Sequence, residues 1–269
     1  MPADGISNML RMYVTDFRAG VHNPAPNVRT VRERPATAVL DADGGLGVHV
    51  GPMAMRLAVE KAKATGMGSV SVINAGHLGG AGYHAMVAAE AGCIGQCFAA
   101  PGGKLALPTF GAEPRFGTHP IAWAAPAGEE PPFLFDVATT QIAGNKIRLA
   151  ARMGNRLASD WIAEPLGSPN AGAVIREEVD PPADFLMPPL GGTRENGSHK
   201  GYGLQCVVDL LCNSMGGVGA GCLTGGGGIL MVAYDIDAFV DMTDYTAWAD
   251  QFLQALRTCP PAPGHEVRR

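Results

Sequence analysis

Three short runs of β-branched and small apolar residues, 36–41 (ATAVLD), 69–74 (SVSVIN) and 93–98 (CIGQCF), are separated by two stretches with helical spacing. This alternation constrains the fold more than any other feature of the chain. Parallel strands need a long crossover, and a helix is the compact way to supply one, so residues 69–98 read as a βαβ unit. In the first helical stretch Pro52 suits a first turn, and Met53, Leu57, Glu60 and Lys61 continue the pattern to Gly66. The second helical stretch covers 81–91, and the turn Asp43-Gly44-Gly45 closes the first strand.

The rest of the chain follows the same rhythm. An amphipathic piece runs from Asn8 to Ala19, and 120–125 (PIAWAA) and 133–137 (FLFDV) read as buried strands. Gln141 to Met153, Lys200 to Asn213 and Tyr245 to Arg257 read as helices, with a strand at Ile229 to Tyr234. The Pro- and Gly-rich excursion 164–197 holds no element longer than a turn, and the tail from Cys259 reads as an extended surface segment. The fold class is α/β, in one compact unit without internal repeats.

With 46% hydrophobic residues over 269 positions, the chain can bury a sizeable core, and 37 glycines with 21 prolines call for many tight turns. Lys+Arg 20 against Asp+Glu 25 gives a net charge of −5 with no basic run, which argues against nucleic acid as a partner. No stretch approaches the roughly 18 apolar residues of a membrane helix. The opening MPADGISNML lacks the basic-then-apolar order of a signal peptide. The six cysteines are scattered without a CxxC pair, so the expectation is free thiols in a reducing cytoplasm rather than disulfides or a metal site.

Four segments carry candidate chemistry. In 74–83 (NAGHLGGAGY), His77 follows a strand and precedes glycines and a helix, where backbone approaches closely and a proton-exchanging side chain is well placed; a His packed at a strand end is the alternative. His84 reads as a packed helix residue. In 135–140 (FDVATT), an acidic residue and two hydroxyls sit at a strand's C-terminal edge, where open α/β sheets bind ligands. Asp136, Thr139 and Thr140 can equally cap a helix, and the two roles are compatible. In 188–203 (PPLGGTRENGSHKGYG), Lys200 offers a positive charge to an anion or is a solvated loop residue. His119 in GTHP (117–120) is a lone histidine entering a strand. The run Gly225 to Gly228 lies before a strand and reads as a flexible turn, since a Rossmann phosphate loop follows a strand and opens a helix.

Taken in order, LDADGGLG (40–47), the helix 52–65, NAGHLGGAGY (74–83), FGTHP (116–120), FDVATTQIAGNKI (135–147), PLGG (189–192) and HKGYGL (199–204) resemble the malate/L-lactate dehydrogenase family of the non-Rossmann type. That family includes ureidoglycolate and sulfolactate dehydrogenases, 2,3-diketogulonate reductase and Δ1-piperideine-2-carboxylate reductases. The resemblance implies a mixed sheet with flanking helices that binds NADH or NADPH without a GxGxxG loop. It also implies a small-molecule substrate and a homodimer with active sites near the subunit interface. Residues 1–269 would form one catalytic unit, with 67–215 binding the cofactor and 1–66 and 216–269 serving substrate binding and dimerisation. On this resemblance His77 orients or protonates the substrate carbonyl, and Arg11 grips the substrate carboxylate. Asp136, Val137, Ala138, Thr139, Thr140, His119, His199, Lys200 and Gly201 line the cofactor.

The departures are specific. Where the family carries Ser-His-Gly with an acid/base histidine, this chain has Ala3-Asp4-Gly5, and an unperturbed Asp is ionised and a poor proton donor at neutral pH. Asp4 is nonetheless the candidate at that position. The family's GTNP is GTHP, the polar pair after the strand near 98 is Ala99-Ala100, and the span from Gly219 to Ile229 is short. Two readings follow. One is an NAD(P)H-dependent reductase of a small 2-oxo acid or cyclic imine carboxylate. The other is a repurposed scaffold in a biosynthetic pathway, without redox turnover, that catalyses a non-redox step, binds a ligand or serves as a partner subunit.

Overall fold

The computed structural model describes residues 6–265. Among these residues a seven-stranded mixed sheet is flanked by helices, as the resemblance implied. In chain order the larger elements are α1 (Ile6–Arg18), β1 (Arg29–Glu33), β2 (Thr37–Asp41), α2 (Gly47–Thr65), β3 (Met67–Ile73), α3 (Ala81–Glu90) and β4 (Cys93–Ala100). They continue with β5 (Ile121–Ala125), β6 (Phe133–Val137), α4 (Gly144–Met153), α5 (Ser198–Asp209), α6 (Gly221–Thr224), β7 (Gly228–Asp235) and α7 (Met242–Arg257). The strand order is β1-β2-β3-β7-β4-β5-β6.

The β3-α3-β4 unit forms as the sequence predicts, but its two strands are not neighbours. β7 lies antiparallel between them, with Met231 opposite both Val70 and Cys97. A strand from the last fifth of the chain thus occupies the centre of the sheet. α2 and α3 cover one face, where Val70, Val72, Cys97, Met231 and Ala233 meet Ala54, Ala58, Ala85 and Ala88. The fit is close because it rests on glycine: a Cβ added at Gly68 or Gly95 would overlap the carbonyl of Ala58 or Ala85. The opposite face, through Phe98, Leu230 and Val232, packs on Val208 and Cys212 from α5 and the π-helical turn Leu210–Ser214 that follows it. α4 packs with the bridged excursion through Ile147, Leu157, Ile162 and Met187.

Several expectations need correction. α2 begins at Gly47, not in the turn holding Pro52, because the N–H groups of Gly47 and Val48 donate to the carbonyls of Gly76 and His77, both at 3.2 Å. The loop after β3 therefore supplies the partners that a helix N-terminus lacks, and Pro52 lies inside the helix. β6 has the expected bounds but is not buried: it is an edge strand, with Phe133, Leu134 and Phe135 exposed. β1 gave no sequence signal because all five of its residues are exposed and its pattern is charged. α4 starts at Gly144 rather than Gln141, since the Gln141 backbone N–H donates to the Pro188 carbonyl at 2.9 Å beside the bridge between Thr140 and Pro189. α5 starts at Ser198 after Gly197 in the left-handed region (φ 95°), so His199 and Lys200 stand in its first turn. The six cysteines are unpaired, with Cys93, Cys97 and Cys212 buried and Cys259 exposed. Among the described residues no helix is long and apolar enough to cross a membrane.

Candidate active site

The C-terminal ends of β3, β4 and β6 and the starts of β5 and β7 share one edge of the sheet, and a cleft of about 600 Å³ opens there. The loop after β3 forms one wall. Asn74, at φ 54°, turns the chain, and the Gly76 N–H donates to the Gly45 carbonyl at 2.8 Å. Gly76 also lies against the ring of His22, where any Cβ would collide. Buried Leu78 anchors the far side of the loop, and its carbonyl takes the Nε2–H of buried His84 at 2.9 Å. His84 is therefore a packed helix residue that braces this loop.

His77 projects between these anchors and lines the cleft. Its Nδ1 accepts the hydroxyl of Tyr13 at 2.5 Å and the N–H of Gly79 at 3.3 Å. Two donors on Nδ1 place the proton of the neutral ring on Nε2. The ring is exposed along the cleft, yet the protein crowded around it and then the neighbouring His22 lower its pKa from the ordinary histidine value. Burial raises the pKa of Tyr13, which keeps its hydroxyl a donor.

Glycine forms much of the remaining surface. Gly102 and Gly103 follow β4, Gly117 precedes β5, and Gly225, Gly227 and Gly228 lead into β7. A Cβ at Gly102 would overlap the Gly225 carbonyl, so the two glycine segments touch through their backbones. The run 225–228 is a fixed wall rather than a free turn, because Asn213 Oδ1 accepts the Gly228 N–H at 2.7 Å. Behind it lies a polar cluster. Asp209 takes the Nε2–H of His119 at 3.3 Å, Nδ2–H of Asn213 at 2.9 Å and the Gly221 N–H at 3.3 Å. His119 is 1% exposed and has φ 41°; burial lowers its pKa, with Asp209 opposing the shift.

The other residues expected at the cofactor divide by placement. Ala138 lines the cleft. Asp136 Oδ2 accepts the Gly82 N–H at 2.8 Å and so caps the first turn of α3, and Val137 packs beneath the sheet. The hydroxyls of buried Thr139 and Thr140 are spent on the carbonyls of His119 and Ile142. The Thr139 carbonyl accepts the Leu190 N–H at 2.9 Å and Gln205 Nε2–H at 3.3 Å, which ties three separate segments into one support. Gly201 lies so close to Leu190 that a Cβ would overlap its backbone. His199 Nδ1 lies 2.9 Å from Arg194, and Lys200 is exposed beside it. Asp4 lies outside the described residues.

Sequence reasoning missed Tyr13 and Arg148. Arg148, on α4, is the one charged side chain among the described residues lining the cleft. Arg11 is not on the cleft wall but in an adjoining groove. The signal for Arg148 was present in GNKIRL, one turn into the helix, but nothing in its spacing says which side faces a cleft.

A family model described as malate/L-lactate dehydrogenase matches residues 3–268. A malate dehydrogenase of Pyrococcus abyssi is 41% identical over 77% of this chain, and the match spans 56% of that protein, little more than half its length. An L-sulfolactate dehydrogenase of Methanocaldococcus jannaschii is 33% identical over 95% of this chain and 72% of its own. The crystal structure of a malate dehydrogenase from Entamoeba histolytica superposes with TM-score 0.88 at 30% identity, covering 98% of this chain and 76% of that one. With the sheet and its glycine-lined cleft in place, these matches identify the chain as a member of the malate/L-lactate dehydrogenase family.

Proposed function

We propose that the chain is an NAD(P)H-dependent oxidoreductase that reduces a small 2-oxo acid, or a cyclic imine carboxylate, at the His77 cleft. The observation that carries this is the pairing of Tyr13 with His77 Nδ1, which leaves Nε2–H for the cleft. The names of the relatives, malate and L-sulfolactate dehydrogenase, support the substrate class. The residues fit a nicotinamide cofactor: side chains at Gly103, Gly144 and Gly225 would meet no other atom within 4 Å, so the wall is open there, and a cavity of about 600 Å³ suits a ring with a small acid beside it.

Asp136 to Thr140, His119, His199, Lys200 and Gly201 are the residues that would hold the cofactor. Lys200 would meet phosphate, while the buried threonines and His119 would act through the backbone they fix. When bound, the cofactor supplies the hydride for the carbonyl or imine carbon. His77 donates a hydrogen bond from Nε2–H to the oxygen or nitrogen on which charge develops, Tyr13 holds the ring in that tautomer, and the proton that completes the alcohol or amine comes from solvent. Arg148 brings the cleft's positive charge to an acid substrate.

The reading includes a homodimer, supported by exposed Leu204, Val207 and Leu210 along α5 and its extension. It assigns 67–215 to cofactor binding and 1–66 with 216–269 to substrate and dimer contacts. Six unpaired thiols support a reducing cytoplasmic setting. A second reading, a scaffold without redox turnover, is favoured by Ala99, an apolar residue on the cleft wall where the family resemblance calls for a polar one. Titration with NADH and with NADPH, followed by nicotinamide fluorescence, separates them. Tight binding of one supports the reductase, whereas no binding of either at millimolar concentration leaves the repurposed scaffold.

A further inference from the structure

β4 lies between β7 and β5 in the sheet, so the segments that enter β5 (Gly117 to Pro120) and β7 (Gly225 to Gly228) flank the end of β4, and both line the cleft. Behind the cleft, each is tied to the same carboxylate. His119 Nε2–H reaches Asp209 Oδ2 at 3.3 Å. Asn213 Nδ2–H reaches that oxygen at 2.9 Å, while Asn213 Oδ1 holds the Gly228 N–H at 2.7 Å. The Gly221 N–H takes the second oxygen at 3.3 Å. A carboxylate can accept from all three donors, whereas an amide of the same size has one oxygen and turns an NH2 group toward at least one of them. The cluster is also closed to substitution, since any Cβ at Gly221 would overlap Asn213 Nδ2. The π-helical turn Leu210–Ser214, a feature found frequently at functional sites, places Asn213 between Asp209 and Gly228. None of Asp209, His119 and Asn213 lines the cleft itself.

We propose that Asp209 is a positioning residue for the nicotinamide cofactor: one carboxylate, acting through His119 and Asn213, holds both cleft segments at the separation that a bound cofactor needs. The proposal rests on the reductase reading. Glycine-rich walls meet a ligand through backbone and cannot adjust by turning a side chain, so their position has to be fixed from behind. With Asp209 lost, His119 and Asn213 no longer share an acceptor, and the two segments are free to shift independently.

The test uses the full chain, with NADH and NADPH affinity measured first by fluorescence. Asp209→Asn should weaken the preferred cofactor about tenfold and raise its KM by more than it lowers kcat. Asn213→Ala should weaken it as well. Ile236→Ala, at a buried site past the far end of β7, controls for lost stability: it should melt lower yet bind cofactor as the unchanged protein does. At His119 a conservative variant gives a rescue. His119→Gln can place an amide donor where Nε2 stands and should bind cofactor within about threefold of the unchanged protein, whereas His119→Ala should not. Both variants lose the ring and bear the backbone cost at φ 41°. Hydrogen exchange on the protein without cofactor reads the mechanism directly. Asp209→Asn should speed exchange in both 116–122 and 225–229, and Asn213→Ala chiefly in 225–229. If Asp209→Asn does not fold, the Asn213 and His119 variants carry the same expectations. Cofactor affinity reduced no more than in Ile236→Ala, exchange raised at only one segment in Asp209→Asn, or His119→Gln no better than His119→Ala overturns the positioning role while the reductase reading stands. Absence of cofactor binding by the unchanged protein removes both.

Discussion

Tyr13 on α1 and His77 after β3 are joined by a 2.5 Å hydrogen bond between residues 64 positions apart, so the placement of the first helix sets the protonation pattern of the candidate catalytic ring. Tyr13→Phe keeps the packing and removes the donor. We expect kcat to fall about tenfold or more with a smaller change in KM, and stability to drop by about 1 kcal/mol. Steady-state kinetics and a urea melt check this, and an unchanged kcat would release Tyr13 from the role. His77→Ala should lower kcat at least about a hundredfold.

Acid should weaken the fold. Burial is the leading cause that lowers the pKa values of His77, His84 and His119. Between the ordinary histidine value of about 6.5 and these lower folded values, the unfolded chain binds more protons than the folded one. The stabilisation from keeping these rings neutral is complete above about pH 6.5 and is lost as pH falls through the folded pKa values. Melting temperature should therefore decline from pH 7.5 to 5.5, with proton uptake on unfolding measurable by calorimetry in buffers of different ionisation enthalpy. A Tm that rises over that range would contradict the assignment.

Two adjacent glycines should behave differently. Gly102→Ala pushes a Cβ into the Gly225 carbonyl, whereas Gly103→Ala meets nothing within 4 Å. The first should cost about 1–3 kcal/mol and weaken cofactor binding, because both glycine segments line the cleft. The second should stay within about 0.5 kcal/mol. Equal melting temperatures for the two variants would show that the approach of the two loops is not tight.

The cluster behind the cleft predicts an asymmetry at His119. Asp209→Ala leaves His119, Asn213 and the Gly221 N–H without their shared acceptor, and should cost about 3 kcal/mol. His119→Asn suits the backbone at φ 41°, since Asn tolerates the left-handed region, although its amide is too short to reach Asp209, which the ring meets through Nε2 at 3.3 Å. It should melt well above His119→Ala. The reverse order would mean that the left-handed backbone at this position imposes no cost on alanine.

Lys200→Ala should weaken cofactor binding about tenfold without lowering the melting temperature, because the side chain is exposed and among the described residues no carboxylate lies within ion-pair distance. Fluorescence titration and a thermal melt separate the effects, and a fall in stability instead would make Lys200 structural.

The sequence by itself determined the elements whose signals are local. Short β-branched and apolar runs marked β3, β4 and β7, helical spacing marked α1, α2 and α3, and a histidine between a strand and glycines marked the loop that carries His77. The tertiary structure decided what depends on distance along the chain: β7 between β3 and β4, Tyr13 on His77, Asp209 beneath His119, and Arg148 at the mouth of the cleft. It also decided that β6 is an exposed edge and that α2 begins at Gly47, where loop carbonyls stand ready to receive its first N–H groups. Propensity and periodicity act over a turn or a few residues. Partners 64 or 90 positions apart are chosen instead by how the elements pack, and glycine at Gly68, Gly95 and Gly102 lets helix and loop backbones pack closely in this fold.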